Sequence, residues 1–343
     1  MEQNGRVEPV DALNEIAFWL ERERAQNFKV QAFRKAAAAL SGRSSEEIAA
    51  QARSGRLKSV SGIGSTSFEV IRQAVDGRIP EYLQKVRERN AHELSPAAAT
   101  LLAALVGDLH THSEWSDGTT SIETMADAAR LLGRNYIALT DHSPSLKIAH
   151  GLTADRLERQ LREVSRINDR FDDFQLLAGI EVDILESGEL DQTSDLLERL
   201  DVVVASVHSK LKADSETMTR RMLGGIENPF TNVLGHCTGR LLEGTRGTRE
   251  QSTFDAARIF AACADNNVAV EINSRPERQD PPDDLIALAL EAGCLFSIDT
   301  DAHAPGHLSF LDLGAERAIS NGVPAERIIT TWPRERLLEW ASA

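Results

Sequence analysis

Nine residues between positions 110 and 303 are of the types that hold metal ions: His110, His112, Asp117, His142, Glu181, His208, His236, Asp301 and His303. The chain has only nine histidines, and six are in this set. Imidazole with carboxylate, without cysteine, suits zinc, manganese or iron. A carboxylate such as Glu181 can bridge two ions, and ions about 3.5–4 Å apart suit phosphoryl chemistry. A single His-x-His pair such as His110 and His112 is a weak signal. The signal gains weight by repetition, because each of the nine falls at or just after the end of a strand-like run. One histidine at a strand end is ordinarily a satisfied polar group; six at the same end of successive strands are not. His92, His150 and His307 lie outside this pattern and are read as surface or supporting residues.

The elements that must position these residues alternate from Val106 onward. Strand-like runs cover 106–112, 136–142, 176–184, 201–209, 232–237, 268–273 and 295–303. Helical patterns over 121–133, 153–168, 215–227, 252–267 and 283–293 separate several of them. Strand, helix, strand at this spacing predicts βαβ units and a parallel sheet, and seven in a row favour a barrel over an open sheet. Ligands at strand ends would then converge on one mouth of the barrel.

Residues 11–92 read as helices only. Leu13, Ile16, Ala17 and Leu20 form one apolar face. Phe28, Ala32, Phe33, Ala36, Ala37 and Leu40 form another, stopped at Ser41-Gly42. A third helix stops at Ser54-Gly55, and Gly62-Ile63-Gly64 makes a tight turn that opens a helix over Phe68, Ile71 and Val75. Glycines there would let the backbone pass close to a phosphate facing the helix-start amides. Residues 91–104 read as a short linker or packing helix. The expected organisation is a helical domain over 1–92, a linker over 93–105 and an α/β domain over 106–343.

The 343 residues carry a formal net charge of −15. That charge is uneven. Residues 1–95 hold 15 basic against 13 acidic side chains, leaving 23 against 40 for the remainder. The acidic part is a poor non-specific binder of nucleic acid. The small basic excess sits where a DNA-binding headpiece would need it. No run approaches the roughly 20 apolar residues of a membrane span. The N-terminus lacks a signal-peptide pattern, and three isolated cysteines suggest reduced thiols. A cytoplasmic monomer with no membrane partner is expected.

The motifs DLHTHSEWSDG, ALTDHS, GIEVDI, VASVHS, GHCTGR and DTDAH resemble the PHP family, named for polymerase and histidinol phosphatase. The likeness covers about residues 106–340. It is nearest to the PHP module of bacterial X-family DNA polymerases, through TDHSPSLKIAHGL, VVVASVHSKL and VLGHCTGRLL. Cys237 stands where that group usually has proline. The resemblance implies a distorted seven-stranded (β/α)7 barrel binding three divalent ions. His110, His112, Glu181 and Asp301 would hold one ion; Glu181, His208 and His236 a second; Asp117, His142 and His303 a third. His110, His112, Glu181, His208, Asp301 and His303 are the expected catalytic residues. A metal-held hydroxide would attack phosphorus in line, so no serine or cysteine nucleophile is required. Ser143, Lys147, Ser209, Lys210, Arg240, Asn273 and Arg275 are candidate substrate contacts.

NEIAFWLE, FKVQAFRKAA and LKSVSGIGSTSFEVI resemble the small N-terminal helix-hairpin-helix domain of the DNA polymerase β family. That implies binding of DNA ends, with Lys35, Lys58, Gly62 and Gly64 as contacts. Some members remove a sugar-phosphate through a lysine imine. Thr66 and Val70 stand at the matching positions and cannot form one, so no lyase activity is expected. Between Asn90 and Val106 there is no room for a polymerase palm. Three readings follow. The first is a DNA 3′–5′ exonuclease or 3′-end-processing enzyme. The second is a small-molecule phosphatase, such as one acting on histidinol phosphate. The third is a non-catalytic DNA-binding protein with a structural metal site, against which the full ligand set argues.

Overall fold

The computed structural model describes residues 7–244 and 247–343, and the chain divides into two compact units, 1–93 and 94–343. The first is all-helical: α1 (Pro9–Arg22), α2 (Asn27–Leu40), α3 (Ser45–Arg53), α4 (Ser65–Val75) and α5 (Glu81–Asn90). The apolar faces read from the sequence meet here, except that Phe28 and Ala32, expected on the second face, are exposed. Leu13, Ile16, Leu20, Phe33, Ala36, Leu40, Ile48, Leu57, Ile71 and Leu83 share one core. Local signals set the ends. Ser44 caps α3 with a reciprocal Glu47 bond, and Gly55 and Gly62 take positive φ between α3 and α4. A Cβ on Gly62 would lie 3.2 Å from the Lys35 carbonyl, so that turn lies against α2.

The second unit starts with α6 (Pro96–Ala104) and continues through β1 (Gly107–Thr111), α7 (Ile122–Leu131), β2 (Tyr136–Leu139), α8 (Ala154–Asn168), β3 (Gln175–Asp183), α9 (Ser194–Leu197) and β4 (Val202–Ser206). Next come α10 (Ser215–Ile226), β5 (Val233–Leu234), α11 (Ala256–Asp265), β6 (Ala269–Asn273), α12 (Asp283–Glu291), β7 (Phe296–Asp299), α13 (Leu311–Ser320) and α14 (Arg334–Ala341). The seven strands pair in chain order, every pair parallel. Among the described residues, only the Thr111–Ala302 bridge pairs backbone across the β7–β1 seam. Side chains complete that seam: Asp299 accepts from the Leu109 amide at 2.7 Å, and Asp108 from the Thr300 amide at 3.2 Å. The barrel is nearly closed, and its mouth lies at the carboxyl ends of the strands. The opposite end is filled by Leu109, Tyr136, Val204, Ile329, Trp332 and Leu337, with Tyr136 donating to the Trp332 carbonyl at 3.0 Å.

Of the two readings of residues 91–104, linker or packing helix, the packing helix is what forms, as α6: Leu101 and Leu105 are in the core of the second unit, and Ser95 is bonded to Glu316 at 3.2 Å. One expectation changes. The helix expected from 252 starts at Ala256, because Ser252 is tied to the Thr238 carbonyl and Asp255 provides the cap. Among the described residues no helix is long and apolar enough to cross a membrane.

Candidate metal centre

The strand ends bring all nine expected ligands to one mouth. His110 lies on β1, where the pairing register shifts by one residue against β2, and His112 follows the strand. His142, His208 and His236 come just after β2, β4 and β5, and Asp301 just after β7. Asp301 takes φ +51°, a left-handed conformation that Asp tolerates and that re-aims its carboxylate.

Glu181 is the hub. Its Oε2 is 2.8 Å from His142 Nδ1, 3.3 Å from His110 Nε2 and 3.7 Å from His112 Nε2. Its Oε1 is 2.8 Å from His236 Nε2 and 3.1 Å from His208 Nε2. Two flanking carboxylates extend the cluster. His112 Nε2 lies 3.3 Å from Asp301, and Asp117 lies 3.4 Å from His142 Nε2 and 3.2 Å from His303 Nε2. Four sets have mutually close donor atoms: His112, Asp117, His142 and His303; His110, Glu181 and His236; His110, His112 and Asp301; His142, Glu181 and His208.

These atoms approach without hydrogen-bonding. His110 Nε2, both His112 and both His236 nitrogens, His142 Nδ1, His208 Nε2, Asp117 Oδ1 and both Glu181 oxygens are buried and have no hydrogen-bond partner. An unpaired buried polar atom costs about 1–3 kcal/mol, so such a concentration needs compensation. Lone pairs converging on common points, from imidazole and carboxylate, fit divalent transition ions. Burial would lower the His110, His142 and His208 imidazoles, but Glu181 outweighs it and raises all three. Burial and the neighbouring His303 and His142 hold the His112 imidazole down to about 3, a neutral donor. Burial would raise the Glu181 carboxyl, but His208, His110 and His142 outweigh it and hold it well below the usual range.

Behind the ligands stand carboxylates that fix their orientation. Glu271 accepts from His110 Nδ1 at 2.6 Å and Asp183 from His208 Nδ1 at 3.1 Å, leaving Nε2 free to ligate. Asp141 gathers the Ser113 amide at 2.8 Å and Gln160 at 2.6 Å beside His142. Sequence reasoning missed Glu271, Asp183 and Asp141. The first two had a signal, since Glu271 is two residues from Asn273 and Asp183 two from Glu181, and alternate residues of a strand share a face.

The expected substrate contacts divide. Arg275 lines the cavity over the cluster, with NH1 3.0 Å from His303 Nδ1. Arg278, which was missed, lines it too and binds Asp301 at 3.0 Å. Asn273 is buried, 3.2 Å from Glu271 and 3.3 Å from Asp301, and so braces carboxylates. Arg240 donates to the Arg278 carbonyl at 3.0 Å and to that of Gln279, holding their loop. Ser209 is exposed, its carbonyl accepting from Arg221 at 2.7 Å; Lys147 and Lys210 are exposed. Ser143 is buried and donates its amide to the Glu181 carbonyl at 3.0 Å. Of the other histidines, His92 and His150 are exposed, while His307 Nδ1 accepts from the His303 amide at 3.2 Å.

In the helical unit Lys35 and Lys58 are exposed, Lys58 with its ammonium 5.0 Å from the Phe68 ring centre. Gly64 caps α4, its amide donating to Ser67 Oγ at 2.9 Å. Thr66 is exposed and Val70 buried in the core, so neither position offers an amine.

Residues 108–275 match the PHP domain family and residues 4–78 a helix-hairpin-helix domain family. A probable phosphatase of Vibrio parahaemolyticus serotype O3:K6 (strain RIMD 2210633) is 30% identical over 248 residues, covering 68% of this chain and 92% of that protein. The chain belongs to the PHP family. As a PHP protein it is a phosphate ester hydrolase with a metal-binding His/Glu/Asp cluster. It is also similar to the DNA polymerase/3′-5′ exonuclease PolX of Bacillus subtilis (strain 168), 39% identical over 202 residues, 59% of this chain. The match covers 35% of PolX, so this chain spans about a third of that relative's length. A solved structure of histidinol phosphate phosphatase from Lactococcus lactis subsp. lactis Il1403, with zinc, L-histidinol and phosphate, superposes with a TM-score of 0.47 at 18% identity. It covers 63% of this chain and 92% of that one.

Proposed function

We propose that this PHP protein is a DNA 3′–5′ exonuclease or 3′-end-processing phosphoesterase. Residues 1–92 would act as a DNA-binding headpiece and residues 106–343 as the catalytic unit. The observation that carries this reading is the pairing, in one chain, of a buried phosphoesterase cluster with a helix-hairpin-helix domain. The similarity to PolX, whose name includes a 3′-5′ exonuclease, supports it.

Three divalent ions, zinc, manganese or iron, would be held by His110, His112, Glu181 and Asp301; by Glu181, His208 and His236; and by Asp117, His142 and His303. When bound, such ions lower the pKa of water and offset charge on a phosphoryl group. The chain's own residues set the geometry. Glu271 and Asp183 fix the His110 and His208 rings so that Nε2 faces the cluster. Arg275 and Arg278 place two cationic groups on the cavity lining, where they would meet the non-bridging oxygens. His208, His303 and Asp117 form the partly open side of the cluster, towards substrate, while His110 and Glu181 close its base.

The test is Mn²⁺-dependent digestion of a 5′-labelled oligonucleotide, run beside histidinol phosphate. A ladder of shortened DNA that His208→Ala abolishes, with the variant still folded by circular dichroism, is the expected result. Full activity in His208→Ala would sink the assignment. The second reading, a small-molecule phosphatase, is favoured by the acidity of the barrel part and by the probable phosphatase from Vibrio. It predicts intact DNA and free phosphate from histidinol phosphate.

A further inference from the structure

The cavity over the ligands is about 1100 Å³ among the described residues, at or beyond the roughly 300–1,000 Å³ of ordinary ligand sites. A phosphate on a small alcohol would leave much of it empty. Its lining joins cations (Lys212, Arg249, Arg275 and Arg278) and carboxylates (Glu243, Glu250 and Glu277, besides Asp117 and Asp301) to aliphatic side chains at Leu146, Ile148 and Leu211. Ile148 stands out: at 87% exposure it is the most exposed large hydrophobic residue described.

Its exposure is built in. Lys147–Ala149 form a single 3₁₀ turn, with Ala149 bonded to the Leu146 carbonyl at 3.0 Å and His150 to that of Lys147 at 3.1 Å. Ala149 is buried at 3%, which anchors one side of the turn and turns its neighbour outward. His150 takes φ +56° to end the turn. A Cβ on Gly151 would sit 1.8 Å from the Ser143 carbonyl, so the chain can pass there only as glycine. Leu152 then bonds the His142 carbonyl at 2.7 Å. Arg156 clasps the same turn through the His150 and Gly151 carbonyls. The turn carrying Ile148 is thus tied at both ends to the segment bearing the ligand His142.

We propose that Ile148 is a specificity-determining residue, a fixed apolar ledge for the base of the terminal nucleotide while its phosphate lies over the ligand cluster. The inference rests on the nuclease reading. A nucleotide has an apolar base face and an anionic phosphate, and this lining holds an aliphatic side chain and cations in one cavity; apolar packing of an isoleucine against a base face reads none of the base's edges. A rigid ledge also positions the ester without the entropy of ordering a loop.

The full chain with Mn²⁺ is given two 5′-labelled single-stranded oligonucleotides, one ending in a normal nucleotide and one in a base-less tetrahydrofuran residue. The protein is expected to remove the base-bearing end about tenfold faster in kcat/KM, near the lower range for burying an isoleucine side chain. Ile148→Ser should erase that preference, and Ile148→Leu should keep it. A wild-type protein indifferent to the base overturns the ledge while the nuclease reading stands. Equal slowing of both ends by Ile148→Ser also overturns it, leaving a purely structural role. A shift in oligomeric state in Ile148→Ser, by light scattering, would make the ledge a contact between copies and overturn it too. If wild type cuts neither oligonucleotide yet releases phosphate from histidinol phosphate, the nuclease reading itself falls.

Discussion

The two units bury different things. Among its described residues the helical unit buries Leu, Ile, Phe and Ala with only Glu21, Ser67 and Gln73 as buried polar side chains. The barrel unit buries aliphatic layers outside its strands and, at its mouth, imidazoles and carboxylates without hydrogen-bond partners. The first is a scaffold whose stability is apolar packing, with its chemistry confined to exposed cations and amides. The second keeps its costliest groups at its centre, where stability and function depend on the same ions. Packing defects should therefore harm the first unit, and ligand defects the second.

The largest effect expected is from Glu181→Gln, because the Glu181 carboxylate meets five of the six clustered histidines. Hydrolysis should fall by roughly 10²–10³-fold or more, with the thermal transition of the helical unit unmoved. Turnover within a few-fold of wild type would remove the hub role. Leu13→Ala should cost the helical unit roughly 2–5 kcal/mol, read as a lower midpoint for its transition in calorimetry, without change in the barrel's transition. A matching loss in both transitions would merge the two units into one cooperative block. Glu271→Gln, which loosens His110 without removing a ligand, should weaken metal binding by roughly 10–100-fold by competition with a chelator. An unchanged affinity would make Glu271 a packing residue only.

Smaller effects are expected on the helical surface. Replacing Lys35 and Lys58 by alanine should each lower the salt slope of DNA binding by about one. No change in slope would move the DNA path away from the hairpin. The smallest is a pH effect at Glu15. Burial favours its neutral form, but Arg87 at 2.6 Å and Trp19 at 3.0 Å outweigh burial and depress its pKa. A depressed carboxylate stabilises fully above its unfolded value of about 4.3 and loses that contribution as pH falls through the folded value. The pair is partly exposed, so the loss should be about 0.2–1 kcal/mol, absent in Glu15→Gln. A helical unit that gained stability on acidification relative to Glu15→Gln would reverse the sign.

The sequence by itself determined a good deal. The strand-like runs already placed His110, His142, His208 and His236 at corresponding ends of successive strands, because side-chain alternation and strand length are local properties. The apolar faces around Leu13 and Phe33 were legible for the same reason, as was the turn at Gly62. What only the tertiary structure decided is what lies between elements far apart in the chain. That Glu271 orients His110 across 161 positions, and that Arg278 meets Asp301, depends on barrel closure. The start of α11 at Ala256 depends on Ser252 bonding Thr238. The outward setting of Ile148 depends on Gly151 passing Ser143 at a distance that no side chain allows. A residue's type and spacing declare what chemistry it can do; its unpaired atoms and exposure, set by long-range packing, decide which chemistry it is left to do.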